Sequence, residues 1–145
     1  MEARIERARE QDAAEVFRLL EMNRLPLDGL REHLATMVVA RRNDRVVGSA
    51  AVEVYADGAL LRSVAVAPDL QRSGLGHLLT DAAIQIARDA GVPAVYLLTT
   101  TAERYFPKFG FEPIPRQDVP ESVQTSIEFK SACPSSATAM RKLLR

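Results

Sequence analysis

The chain switches between two hydrophobic periods, and the switches mark its elements. Near the start, "DAAEVFRLLEMN" sets Ala13, Val16, Phe17 and Leu20 on one helical face, after a short β-like run over Ala3–Ala8. Asp12 stands where a helix cap is expected. "RLPLDGL" breaks the pattern with Pro26 and Gly29, and a short second helix is expected through His33. Three β-rich runs follow, "TMVVARR", "RVVGSAAVEVY" and "ALLRSVAVA", joined by the turn-like "RNDR" and "ADG". They predict an antiparallel meander. Helical spacing returns over Gly74–Ala90, with Leu75, Leu78, Leu79, Ala82, Ala83 and Ile86 inward and Gly91 as the stop. "AVYLLTT" reads as a buried strand, "AERYFPKF" as a short helix interrupted by Pro107, and "GFEPI" as another strand. "PESVQTSIEFK" reads as a helix opened by Pro120, and "ATAMRKLL" as a last strand. This order predicts one α/β domain over residues 1–145, with a mixed, mostly antiparallel sheet and flanking helices.

Composition narrows the function classes. The 145 residues carry 19 basic and 19 acidic side chains, so the basic excess of a nucleic-acid binder is absent. No apolar run reaches membrane-spanning length, and "MEARIERARE" lacks the apolar core of a signal peptide. The expectation is a cytoplasmic protein with no membrane and no nucleic-acid partner. One cysteine, Cys133, rules out an internal disulfide, and no thiolate set for a metal is present, so no metal is expected. His33 and His77 stand alone in sequence, and His77 reads as a solvent-facing residue at the start of the long helix.

Between the third β-run and the long helix lies "VAVAPDLQRSGLG". A strand feeding a glycine-bearing turn into a helix start makes an anion site, because the first N–H groups of the helix have no internal acceptor. The stretch lacks the full P-loop and G-x-G-x-x-G patterns. By themselves Gly74 and Gly76 fit either an anion site or close packing of a helix on a sheet.

The whole stretch resembles the acetyl-CoA-binding signature of the GCN5-related N-acetyltransferases (GNAT family), a strand, V-x-P-x-x-[RQ]-x-x-G-x-[GA], and a helix. "TTTAERYFPKFGF" resembles the same family's strand, helix and [KR]-x-GF segment, and the element order agrees over essentially the full chain. The resemblance implies the GNAT fold and an acetyl-CoA-dependent transfer to the amine of a small molecule. It assigns Gln71, Arg72, Ser73, Gly74, Leu75 and Gly76 to the pyrophosphate. Val64, Ala65 and Val66 go to the pantetheine arm and acetyl carbonyl, with Val66 N–H as oxyanion donor, and Thr99 stands where the family often has asparagine. Asn23–Leu30 falls where the family varies its acceptor lid, which makes Asn23 a substrate-binding candidate, and a homodimer is a family expectation. "YLLTTTAERYFPKFGF" with "EFKSACPSSATAMRKLL" is similar to a GNAT subgroup of arsenic-resistance N-acetyltransferases related to amino-acid N-acetyltransferases. That similarity implies an amino acid or an organoarsenical analogue as acceptor.

Acetyl transfer needs a held thioester, a stabilised carbonyl oxygen, a route for the amine proton and an acid for the leaving thiol. The position where many GNAT enzymes carry an acidic tyrosine is Phe106, so Tyr105, one place earlier, is the candidate acid, or else a half-buried aromatic. Glu53 is the candidate base, in a strand where partial burial would raise its pKa, or else an outward-facing glutamate. Arg62 is a candidate fork for a substrate carboxylate, or a cross-strand partner of Glu53, or both. Nothing makes Cys133 a nucleophile, and its CPSS segment suits a pocket wall or a subunit contact. A non-catalytic acyl-CoA-binding sensor or partner domain is the alternative, favoured by Phe106.

Overall fold

A computed structural model describes residues 3–100, 102, 104–126, 129–130 and 137–144 of the chain. Among these, seven strands form one sheet in the order β1-β2-β3-β4-β5-β7-β6. They are β1 (Arg4–Arg7), β2 (Met37–Arg42), β3 (Arg45–Tyr55), β4 (Gly58–Val66), β5 (Ala94–Thr99), β6 (Glu112–Ile114) and β7 (Thr138–Leu143). The helices are α1 (Ala13–Met22), α2 (Leu75–Asp89) and α3 (Glu121–Gln124). Among the described residues, only β4 and β5 pair in parallel. The expected meander is present as β2–β3–β4. Its first turn bends at Asn43 and Asp44, with φ of 53° and 63°, the left-handed pair that a two-residue hairpin needs.

Strand alternation sends Val38, Ala40, Val52 and Leu61 to one face, where α2 packs through Leu75, Leu79, Ala83 and Ile86. The opposite face takes Met37, Val39 and Ala51 against Val16, Leu19 and Leu20 of α1. Farther along it, Leu60, Ala94 and Tyr96 meet Val123 of α3. Leu30–Thr36 forms a 3-10 segment, as the short second helix was expected to.

The structure departs from the expected elements in several places. Leu78, expected inward on α2, is instead 55% exposed. Asp12 precedes α1 but makes no side-chain cap to it. Its carboxylate instead accepts the Arg9 N–H at 2.8 Å and pairs with Arg41 at 2.9 Å. Pro107 lies in the first turn of a 3-10 segment, Phe106–Phe109, where its missing N–H costs nothing, so it opens that segment and does not kink it. α3 ends at Gln124, and of the rest of the expected helix the backbone is helical again at 129–130, while residues 127–128, Cys133, the CPSS segment and Thr101 lie outside the described residues.

Two features of β4 shape everything beside it. Its parallel ladder with β5 holds only Ala59↔Val95 and Leu60↔Tyr96, although β4 runs on to Val66 and β5 to Thr99. Against β3 its register slips, from Ser49↔Ala65 to Ala51↔Arg62, so three residues of β4 span two of β3. The slip is a bulge centred on Ser63, whose φ of 60° is left-handed. Ser49 Oγ, fully buried, donates to the Ser63 carbonyl at 2.7 Å and satisfies a group the bulge takes out of the ladder.

Ser49→Ala leaves that buried carbonyl without its donor and is expected to destabilise the fold by about 1–3 kcal/mol, read by chemical denaturation at unchanged m value. The Arg41 hydrogen bond holds the Asp12 carboxyl below its ordinary 3.8, against the opposing effect of burial. A depressed carboxyl stabilises the fold above its unfolded value and loses that contribution as pH falls through the folded one. Asp12→Asn is therefore expected to lower the melting temperature at neutral pH and to flatten its fall below pH 3.8.

Candidate active site

Where β4 and β5 part, a cleft of about 1050 Å³ opens between them. It is lined by Leu61–Val66 of β4, Leu97–Thr99 of β5, the turn before α2, and the loop from Asn23 to Asp28. Backbone groups that a continuous sheet would pair are here turned toward the cleft. Ala67 N–H donates to Val47 O across β3 at 2.8 Å, and alternation then turns the Val66 N–H the other way, to the β5 side.

The cleft runs onto the start of α2. Gly74 is the N-cap with φ of 87°, and no side chain caps the helix. The first helical acceptor bond comes only at Leu78, from its N–H to Gly74 O at 3.3 Å, so the amides of Leu75, Gly76 and His77 remain for an external acceptor. Arg72 is also left-handed, with φ of 70°, and alternating left-handed residues curl successive N–H groups into an anion-binding concavity. The two glycines serve different ends. A Cβ on Gly74 would meet nothing within 4 Å, so its backbone angle is what requires glycine. A Cβ on Gly76 would come within 3.0 Å of the Tyr105 hydroxyl, so there it is close approach.

Of the predicted turn residues, Gln71, Arg72, Gly74 and Gly76 line the cleft. Leu75 offers only its backbone, since its side chain is buried in the core under the sheet. Ser73 is not part of the lining, which is otherwise cationic through Arg24, Arg72 and Lys108. Gln71 turns its amide back to donate to Val66 O at 3.2 Å and to Asn23 Oδ1 at 3.4 Å. Asn23 in turn donates to Leu19 O at 2.9 Å, closing the end of α1. Thr99 Oγ1 accepts the Ala102 N–H at 2.9 Å, a cap on the following turn. His77 lines the cleft rather than only facing solvent, with Asp81 at 3.2 Å and its ring tilted against Phe109 at 4.6 Å.

Tyr105 and Phe106 both line the cleft, Phe106 buried and Tyr105 half-buried. Burial pushes the Tyr105 hydroxyl above its ordinary 10.0, so it stays protonated at neutral pH. Lys108 Nζ lies 5.2 Å from the centre of its ring.

Glu53 and Arg62 come together as a pair at 2.8 Å, but the reading of each changes. Glu53 is 1% exposed and does not line the cleft. Its Oε1 accepts from the Tyr55 hydroxyl at 2.5 Å and its Oε2 from Arg62. Burial alone would raise its pKa, but hydrogen bonds from Ser126, Tyr55 and Arg62, with the His33 imidazole nearby, hold it below its ordinary 4.5. The expected raised value of a poised base is thus reversed. Burial and the neighbouring Glu53 carboxylate push the Tyr55 hydroxyl up to about 12, against the opposing effects of Ser126 and Arg62. The Arg62 guanidinium, with no exposed side-chain surface, is directed at protein carbonyls rather than outward as a substrate fork.

Tyr55, His33 and Ser126 were missed. Tyr55 had a signal, because residues two apart on a strand share a face. His33 Nε2, 3.7 Å from Glu53 Oε2, had none, being 20 residues away in sequence.

The cleft's parting strands and uncapped helix start agree with a family-level match. The family model described as an acetyltransferase (GNAT) domain matches residues 33–113. The chain belongs to the GNAT acetyltransferases. This member is 37% identical over 100 residues to an amino-acid acetyltransferase of Mycobacterium tuberculosis, covering 66% of the chain and 55% of that relative. It thus spans about half the length of that curated relative. It is 27% identical over 127 residues to an uncharacterized N-acetyltransferase of Chlorobaculum tepidum, covering 82% of the chain and 81% of the relative. Among solved structures, Rv2747 of Mycobacterium tuberculosis, in complex with CoA and NLQ, superposes with a TM-score of 0.83 at 26% identity, over 98% of this chain and 99% of that one.

Gly76→Trp places a large side chain against the Tyr105 hydroxyl, at the approach to the α2 amides. It is expected to weaken acetyl-CoA binding at least tenfold, about 1.4 kcal/mol, by titration calorimetry with the circular dichroism of the wild type retained. An unchanged affinity would remove the turn from the site.

Proposed function

We propose that the cleft binds acetyl-CoA and transfers its acetyl group to the amine of an amino acid, or of an organoarsenical amino-acid analogue in an arsenic-resistance role. One observation carries the reading. Beyond Leu60↔Tyr96 the β4 and β5 edges no longer pair with each other and open onto the uncapped start of α2, which suits an extended amide-bearing arm ending in a pyrophosphate. The amino-acid acceptor is supported by the M. tuberculosis relative's name, and the arsenical by the similarity of "YLLTTTAERYFPKFGF" to the arsenic-resistance subgroup.

In this reading the amides of Gly76 and its helical neighbours, with Arg72, hold the pyrophosphate. Backbone groups of Val64–Val66 hold the pantetheine arm, with Thr99 at the far side of the wedge. The acceptor amine arrives from the Asn23–Asp28 side as the free base and attacks the thioester carbonyl carbon. Val66 N–H stabilises the oxygen as it gains charge. The C–S bond breaks as the amide C–N bond forms, and Tyr105 donates a proton to the leaving sulfur. The excess amine proton passes to water at the mouth of the cleft, and Tyr105 recovers its own from solvent. Glu53 takes no part in that relay, because its carboxylate is shut off from the cleft.

The test is release of free thiol from acetyl-CoA across a panel of amino acids and their phosphonate and arsonate analogues. Tight acetyl-CoA binding with no amine-dependent thiol release would favour the sensor reading that Phe106 suggests. Tyr105→Phe is expected to lower kcat by about 10²-fold. The loss should be constant from about pH 7 to about pH 9, since burial keeps the hydroxyl protonated across that range. A loss that varies over it would point to another acid.

A further inference from the structure

We infer that Glu53 and Arg62 form a buried clamp that fixes the Arg24–Gly29 loop as the acceptor-side wall, and that they set recognition of the acceptor rather than proton transfer. This rests on the acetyl-transfer reading for what the loop faces, but the clamp itself stands on the loop's own geometry.

The loop joins α1 to the 3-10 segment at Leu30. Its ends are tied by backbone bonds, Arg24 N–H to Glu21 O at 3.1 Å, Leu25 N–H to Leu20 O at 3.0 Å and Leu30 N–H to Leu27 O at 3.1 Å. Between them, Pro26 has no N–H to offer. The carbonyls in this middle are met from below by one side chain. Arg62 Nη1 donates to Asp28 O at 2.6 Å and Nη2 to Pro26 O at 3.1 Å. Arg62 also donates from Nε to Ser63 Oγ at 3.1 Å and from Nη1 to Glu53 at 2.8 Å. Arg62 meets the two carbonyls from two different nitrogens held in one plane, whereas an ammonium offers all its donors from a single nitrogen and so cannot match that spacing.

Glu53 supplies the counter-charge that lets a guanidinium lie with no exposed side-chain surface. Tyr55 from the same strand, Ser126 beyond α3 and His33 from the 3-10 segment surround it in turn. Asn23, Arg24, Leu25, Pro26 and Asp28 line the cleft, so moving this loop moves a wall of the cleft. Arg62 also neighbours the bulge at Ser63, through the Ser63 hydroxyl, so the loop is registered to the strand that turns Val66 inward.

Arg62→Lys keeps the charge and the partner carboxylate but cannot reach both carbonyls. The expected result, with the best amino acid of the panel as acceptor, is a rise of about tenfold or more in acceptor KM. The KM for acetyl-CoA and kcat should stay within about threefold. Hydrogen exchange should quicken at the Leu25, Leu27 and Asp28 amides and hold steady in β3 and β4. Glu53→Gln should raise the acceptor KM in the same way and leave the shape of the kcat–pH profile unchanged. Pro26→Gly loosens the loop from its own side without touching the buried pair, and should reproduce the KM effect if either buried variant fails to fold. The clamp is overturned if Arg62→Lys lowers kcat at constant acceptor KM, if Glu53→Gln removes the acid limb of the profile, or if loop exchange in Arg62→Lys matches the wild type. Should the wild type release no thiol with any acceptor, the acetyl-transfer reading fails while loop exchange still decides the clamp.

Discussion

The parting of β4 from β5 is the constraint on which the rest of the molecule depends. Two parallel strands that stayed paired would close the cleft and satisfy their own backbone groups. Here the ladder ends after Leu60↔Tyr96, and the bulge at Ser63 bends β4 away while keeping it bonded to β3. A left-handed serine inside a strand is an uncommon conformation that local energetics alone do not favour. It is held by Ser49 on its carbonyl and Arg62 on its hydroxyl, both buried. The same bend directs β4 into the turn at Gln71, where the side-chain amide braces Val66 O and sets the approach to α2.

Beneath the cleft, polar groups are concentrated where the two apolar clusters on the α1 and α3 face leave a gap. Glu53 and Arg62 lie between the α1 cluster, which includes Ala51, and the α3 cluster, which includes Leu60. A buried ion pair is seldom a net source of stability, because desolvating both charges offsets most of their attraction. Hydrophobic residues would pack that gap at lower cost, but they would leave the Asp28 and Pro26 carbonyls without a donor. The pair is therefore best understood as specifying where the loop sits.

Much of the fold was legible in the chain. The meander, the long amphipathic helix and the glycine turn appear where periodicity put them, because each depends on neighbours close in sequence. Misreadings arose where a tertiary partner outcompeted a local one. Asp12 has the chemistry of a cap, but Arg41, brought alongside by β2, takes its carboxylate. Glu53 lies on the face opposite Val52, and that face is covered by the loop and the 3-10 segment rather than left to solvent. Partial burial was expected to raise its pKa, whereas nearly complete burial came with enough donors to lower it.

The family, the glycine turn and the element order are written in residue types at short fixed spacings, which backbone geometry reads directly. Gly74 at a left-handed angle and Gly76 under Tyr105 are such positions. Which polar side chains face the cleft and which hold it open is settled by the folded chain. Those assignments depend on groups far apart in the chain, Arg62 with Pro26 and Asp28, Glu53 with His33, and Gln71 with Asn23. Hydrogen bonds between distant segments leave no period in the sequence, because either partner is an ordinary polar residue until the fold brings the other within reach.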